Sequence, residues 1–190
     1  AIPNLHVFRP GDANETAGAW RAIMKLKHPA AILLSRQNLP VLDDENIEGI
    51  YEGVERGAYV LAETSHVGKG TPEIIILSTG SEVSIALEAL DALDEAQIKA
   101  RLVSMPSWEL FDAQDEAYQR SVLPDSVPLR ISLEAGVTLG WQKYIGTQGI
   151  AIGVDRFGAS APYEDVYEDY GITSKAVVEA AAELLEEFGK

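Results

Sequence analysis

Short aliphatic runs take turns along this chain with longer stretches whose apolar residues recur at helical spacing. LHVF, residues 5–8, is a first run, closed by Arg9-Pro10-Gly11. Asp12 then stands where a helix N-cap is expected, with Glu15 three residues on, and the helix is predicted to reach about Lys27. His28-Pro29 stops it, because the residue before a proline disfavours helical backbone. AAILLS, residues 30–35, follows as a strand. Strand, long helix and strand read as a crossover between two parallel strands.

VLDDENIEGIYEGVERG, residues 41–57, is acidic, poor in apolar residues and dotted with glycine, and it reads as a connection. It places a domain boundary near residues 43–55, dividing the chain into 1–45 and 46–190. Beyond it, AYVLAET, IIILST, IKARLVSMP, PLRISLEAG and GIAIGVD read as strands. Helices are predicted at SEVSIALEALDALDEA, where Val83, Ile85, Leu87, Leu90 and Leu93 mark the apolar side, and at SWELFDAQDEAYQRSVL and TLGWQKYI. RFGASAPYEDVYEDYG reads as a turn rich in small residues, and TSKAVVEAAAELLEEFG as a last helix with Thr173 as its cap. Buried β-branched strands alternating with helices give an α/β fold: a mostly parallel mixed sheet with helices on both faces, preceded by a partial β-α-β piece of a second α/β domain.

Composition narrows the function classes. Of 190 residues, 46% are hydrophobic, enough for a sizeable core. Thirty acids against 15 bases give a net charge of -15, which argues against a nucleic-acid partner and against an anionic membrane surface. With no cysteine, disulfides, zinc thiolates and cysteine nucleophiles are excluded, and a reducing, cytoplasmic setting is expected. No apolar stretch nears the roughly 20 residues that span a bilayer. There is no initiator methionine, and the chain opens on a strand, as a piece of something longer would.

The AAILL run leads directly into Ser35-Arg36-Gln37-Asn38. In an open parallel sheet, ligands bind beyond the carboxyl ends of the strands. Arg36 sits at such an end, where a planar, permanently charged guanidinium suits a phosphate or carboxylate. An ion pair with one of the chain's many acids is the other reading of the same position. STGSEV, residues 78–83, is a strand-turn-helix junction without a P-loop or GxGxxG pattern, and Ser81 is expected to be a plain helix cap. Lys69 between two glycines carries little signal. His6, His28 and His66 lack metal-ligand spacing, and no GxSxG elbow is present. Asp43-Asp44 and Glu186-Glu187 read as solvated acids, and Trp20, Trp108 and Trp141 as packing residues on helices.

HVFRPGDANETAGAW, ILLSRQNLPVL and IILSTGSEVSIALEA together resemble the carboxyl-terminal third of transketolase. RISLEAG, with Trp141 and Tyr144 beyond it, and DRFGASAP extend the resemblance over essentially the whole chain. SRQNLP and RFGASAP are its specific words. Related thiamine-diphosphate enzymes share the architecture but differ there, with dihydroxyacetone synthase closer. The resemblance implies that residues 1–45 end a pyrimidine-binding domain and that residues 46–190 form the C-terminal domain. It implies a homodimeric parent enzyme of the pentose phosphate pathway that uses thiamine diphosphate and a divalent metal, magnesium or calcium. The parent transfers a two-carbon ketol group from a ketose phosphate to an aldose phosphate. Arg36 becomes the residue that binds the substrate's phosphate. No position here matches the family's catalytic, cofactor or metal residues, so the chain alone is expected to bind no cofactor and to be inactive without the upstream domains. A subunit of a split transketolase or of a dihydroxyacetone synthase-like enzyme, and a non-catalytic α/β interaction domain, are the alternatives.

Overall fold

The computed structural model describes residues 2–42, 46–68 and 70–189. The expectations for Asp43-Asp44 and Lys69 lie outside the described residues. β1 (His6–Phe8), α1 (Ala13–Lys25) and β2 (Ala30–Ile32) form the expected crossover, with β1 and β2 parallel and Phe8 opposite Ile32. Asp12 caps α1, its Oδ1 accepting from the Glu15 amide at 2.7 Å. Glu15 reaches back to the Gly11 amide, one residue before the cap, at 2.6 Å. β2 is shorter than AAILLS. Phe8, Ala30 and Ile32 join a core, whereas Leu33 and Leu34, beyond the end of the strand, are 48% and 58% exposed.

The acidic stretch after residue 45 is not a connection but a helix, α2 (Ile47–Arg56). Ile47, Ile50, Tyr51 and Val54 recur at helical spacing, with Ile50 and Val54 buried and Glu48 and Glu52 exposed. Its high acid content masked that stripe. α2 packs on α1 at Gly18, where an added Cβ would lie 3.2 Å from Val54. Gly57 ends it at φ +89°, and a Cβ there would come within 2.3 Å of the Ser107 carbonyl, so both conformation and space demand glycine. Ile50, Val54, Tyr59 and Leu110 share one core with Phe8, Ala19 and Ala22 of the first segment.

The remaining elements build a five-stranded sheet. In chain order they are β3 (Tyr59–Glu63), β4 (Ile74–Ser78), α3 (Glu82–Glu95), β5 (Ala100–Ser104), α4 (Trp108–Asp112), α5 (Glu116–Val122), β6 (Arg130–Leu133), α6 (Gln142–Ile145), β7 (Ile150–Ile152), α7 (Tyr163–Tyr170) and α8 (Ser174–Phe188). The strand order is β3-β5-β4-β6-β7, all parallel except β3, which runs antiparallel to β5 at one edge. Central β4 is buried along its whole length. Ile74 and Ile76 face α3 and α8, while Ile75 and Leu77 face the side of α4, α5 and α6. Each such burial is worth about 1.5–3 kcal/mol.

The helix expected from residue 107 to 123 is two, because Asp115 accepts from the Tyr118 amide and starts a new one. The segment read as a turn contains α7. Thr173 caps α8 as expected, accepting from the Ala176 amide at 3.1 Å. Among the described residues no helix is long and apolar enough to cross a membrane.

Candidate substrate-binding site

The carboxyl ends of the two sheets converge on one region. Arg9, directly after β1, meets the residues that follow β4 and β6. Its guanidinium pairs with Glu82 at 3.2 Å and with Glu134. Its carbonyl accepts from the Gly80 amide at 2.9 Å. Gly80 has φ +62°, and a Cβ on it would sit 3.0 Å from Arg9 Nη2, so the turn after β4 is glycine to admit the arginine.

Glu82, with no exposed surface, is saturated. It accepts from Arg9, from the Ala135 amide at 2.8 Å, from Tyr167 Oη at 2.7 Å and from Ser81 Oγ at 2.6 Å. It also lies in the first turn of α3, where the helix's free amides favour negative charge. Glu134 accepts from Trp141 Nε1 at 2.7 Å. Burial, followed by the nearby Glu82 charge, pushes the Tyr167 hydroxyl up to about 12, so it stays protonated and donates. Ser81 stands at the N-cap position without capping. Its hydroxyl serves Glu82 instead, which corrects the plain-cap expectation.

A second buried carboxylate lies on the same seam. Glu15, 1% exposed, accepts from Tyr59 Oη at 2.8 Å, from Ser104 Oγ and from the Gly11 amide. It pairs with no cation among the described residues. Burial, the largest cause, holds its proton above the usual carboxylate range despite those three donors.

Arg36 stands apart from this network. It lies four residues past β2, exposed, and makes no ion pair, hydrogen bond or ring contact with a described residue. Every other arginine is engaged. Arg21, Arg101, Arg120 and Arg156 pair with acids. Arg56 lies over the Tyr118 ring at 4.6 Å, and Arg130 donates to four backbone carbonyls. The loop of Arg36 touches the network at one point, where Gln37 Nε2 approaches Tyr167 Oη at 3.5 Å.

The structure thus joins the loop of Arg36, through Gln37, to a cluster that the sequence reading missed: Arg9, Glu82, Glu134 and Tyr167. Arg9 carried a usable signal, a cation directly after a strand, as Arg36 did. The other candidates are dispersed. His6 and His28 come together across β1 and β2, ring centroids 5.7 Å apart, while His66 lies near Asp94. Trp141 is buried, whereas Trp20 is 52% exposed. The Glu186-Glu187 pair is exposed, as expected. DRFGASAP is clamped to α7 by Arg156 on Asp169 and by Tyr170 Oη on the Phe157 carbonyl. Among the described residues no group of three or more His, Asp or Glu side chains could hold a metal ion.

Comparison with known proteins places the chain. Residues 57–173 match the transketolase-like C-terminal domain, and residues 1–41 match the transketolase pyrimidine-binding domain. The chain belongs to the transketolase family. It is 50% identical over 97% of its length to a chloroplastic transketolase of Craterostigma plantagineum, of which it spans 35%. Its fold matches a transketolase from Leishmania mexicana with a TM-score of 0.87 at 40% identity, covering 100% of this chain and 26% of that one. A Pichia stipitis transketolase solved in complex with sedoheptulose-7-phosphate matches with a TM-score of 0.84 at 40% identity, covering 100% of this chain and 26% of that one. The chain therefore spans about a quarter to a third of the length of these relatives, and the transketolase C-terminal architecture expected from sequence is the one observed.

Proposed function

We propose that this chain supplies the substrate-phosphate contact and the C-terminal domain of a transketolase, an enzyme that moves a two-carbon ketol group from a ketose phosphate to an aldose phosphate. The carrying observation is Arg36, the one arginine without a partner among the described residues, in a chain with twice as many acids as bases. A guanidinium left unpaired beside so many carboxylates is available for an anion from outside, and its two parallel N–H groups match a phosphate. The sugar phosphate in the Pichia stipitis relative's complex supports the substrate class.

In this reading residues 1–45 close a pyrimidine-binding domain and residues 46–190 are the C-terminal domain. The enzyme works as a homodimer with thiamine diphosphate and a divalent metal. The chain's own contribution is to the substrate. Arg36 fixes the phosphate end, so that binding energy far from the reacting carbons positions them. Alone, the chain neither binds the cofactor nor transfers ketol groups.

Steady-state kinetics of Arg36→Ala in the holoenzyme test the reading. Loss of a charge-assisted contact of about 1.5–3 kcal/mol lowers kcat/KM for phosphorylated donors roughly 10- to 150-fold, mostly through KM. Hydroxypyruvate, which has no phosphate, is used almost normally, and Arg36→Lys recovers part of the loss. Equal losses for both donor types would overturn the assignment.

A further inference from the structure

The loop that carries Arg36 is almost untethered. Leu33 donates to the Phe8 carbonyl at 2.8 Å, where the loop leaves β2. At its far end the Leu42 amide donates to Asp12 Oδ2 at 2.9 Å. Between these two residues, among the described residues, the loop makes a single hydrogen bond to the rest of the chain: Gln37 Nε2 to Tyr167 Oη, at 3.5 Å. Gln37 adjoins Arg36, so this contact bears on the backbone that carries the guanidinium.

The anchor is stiff where the loop is not. Tyr167 lies on α7, and its hydroxyl donates to Glu82 at 2.7 Å. Glu82 is fixed in turn by Arg9, the Ala135 amide and Ser81. With its proton committed to Glu82, the Tyr167 oxygen keeps lone pairs for donors, and the Gln37 amide is one. A line therefore runs from Arg9 through Glu82 and Tyr167 to Gln37, joining the buried network to the exposed loop.

We propose that Tyr167 is a positioning residue for substrate phosphate: its hydroxyl, held by Glu82, fixes the Ser35–Asn38 loop through Gln37 and so pre-orders Arg36. The proposal rests on the phosphate reading of Arg36, and it assigns specificity to a residue 131 positions away that touches no substrate. Its bond is long and neutral, so its effect is modest. Pre-ordering lowers the entropy lost when the loop closes on an anion. Removing it raises KM for phosphorylated donors by about 2- to 5-fold, the low end of what a neutral hydrogen bond commands.

The test uses Tyr167→Phe, which deletes only the hydroxyl, and Gln37→Leu, which lies in the loop and removes no hydrogen bond to Glu82. In the holoenzyme each variant raises KM for a phosphorylated ketose about 2- to 5-fold, with a smaller change for hydroxypyruvate. The two together do no more than either alone, and neither adds to Arg36→Ala. Hydrogen exchange on the chain without substrate reads the tether directly: amides 34–41 exchange faster in both variants than in the parent. If Arg36→Ala discriminates between donors but Tyr167→Phe and Gln37→Leu leave both KM and loop exchange unchanged, the positioning role is overturned and the phosphate reading survives. If the variants speed loop exchange while Arg36→Ala treats both donors alike, the tether stands and the phosphate reading falls. Equal damage to both donors by Tyr167→Phe, not reproduced by Gln37→Leu, would mean that Tyr167 serves the fold alone.

Discussion

Arg9 and Arg36 each follow one of two neighbouring parallel strands, β1 and β2, yet they meet opposite fates. Arg9 lies between Glu82 and Glu134, its side chain 22% exposed. Arg36 lies in the open with no partner among the described residues. The acids decide the difference. β4 and β6 deliver carboxylates to the end of β1, whereas among the described residues the loop after β2 hydrogen-bonds to the later elements only through Gln37 on Tyr167 of α7. A cation at the carboxyl end of a strand is thus a shared signal with two outcomes, and only the second sheet's placement separates a structural arginine from one free for a ligand.

Stability measurements test that contrast most severely. Arg9→Ala strands Glu82 as a buried charge, and removing one partner of such a pair costs about 3–5 kcal/mol. Arg36→Ala removes nothing buried and should stay within about 0.5 kcal/mol of the parent in urea unfolding. A cost under about 1 kcal/mol for Arg9→Ala would mean that Glu82 is satisfied without it.

Glu15 sharpens the same comparison from the acid side, because it is a buried carboxylate that hydroxyls and an amide hold without a cation. Its raised proton affinity in the folded state fixes a sign. The parent's stability relative to Glu15→Gln is greatest below the ordinary carboxylate range and falls as pH rises through the folded pKa. Urea midpoints of both proteins between about pH 4 and pH 8 measure it. An advantage that grows with pH would show the carboxylate to be stabilised as an anion, contrary to the burial argument.

The sequence revealed most of the sheet, because strands such as IIILS are continuous aliphatic runs buried on both faces. It concealed two helices. α2 hid its stripe among acids, and α7 buries none of its side chains completely, so YEDVYEDY has little apolar pattern to read. That Arg36 follows a strand was legible, but position alone left open an ion pair with one of the chain's acids. The network around Arg9 was not, because its bonds join residues 73 and 125 apart along the chain. Nothing local to Glu82 or Glu134 shows that one arginine will pair with both. Tyr167 was illegible for the same reason, since its role exists only once α7 is folded against the turn after β4.

The role proposed for Arg36 is contact with substrate phosphate. Calorimetric titration of the holoenzyme with a phosphorylated sugar alcohol, which cannot donate a ketol group, measures that contact without any chemistry. The expected result is a Kd weaker by roughly 10- to 150-fold in Arg36→Ala, equivalent to about 1.5–3 kcal/mol, with partial recovery in Arg36→Lys and an unchanged melting midpoint. An unaltered Kd in Arg36→Ala would contradict it, and would return Arg36 to the chain's solvated surface.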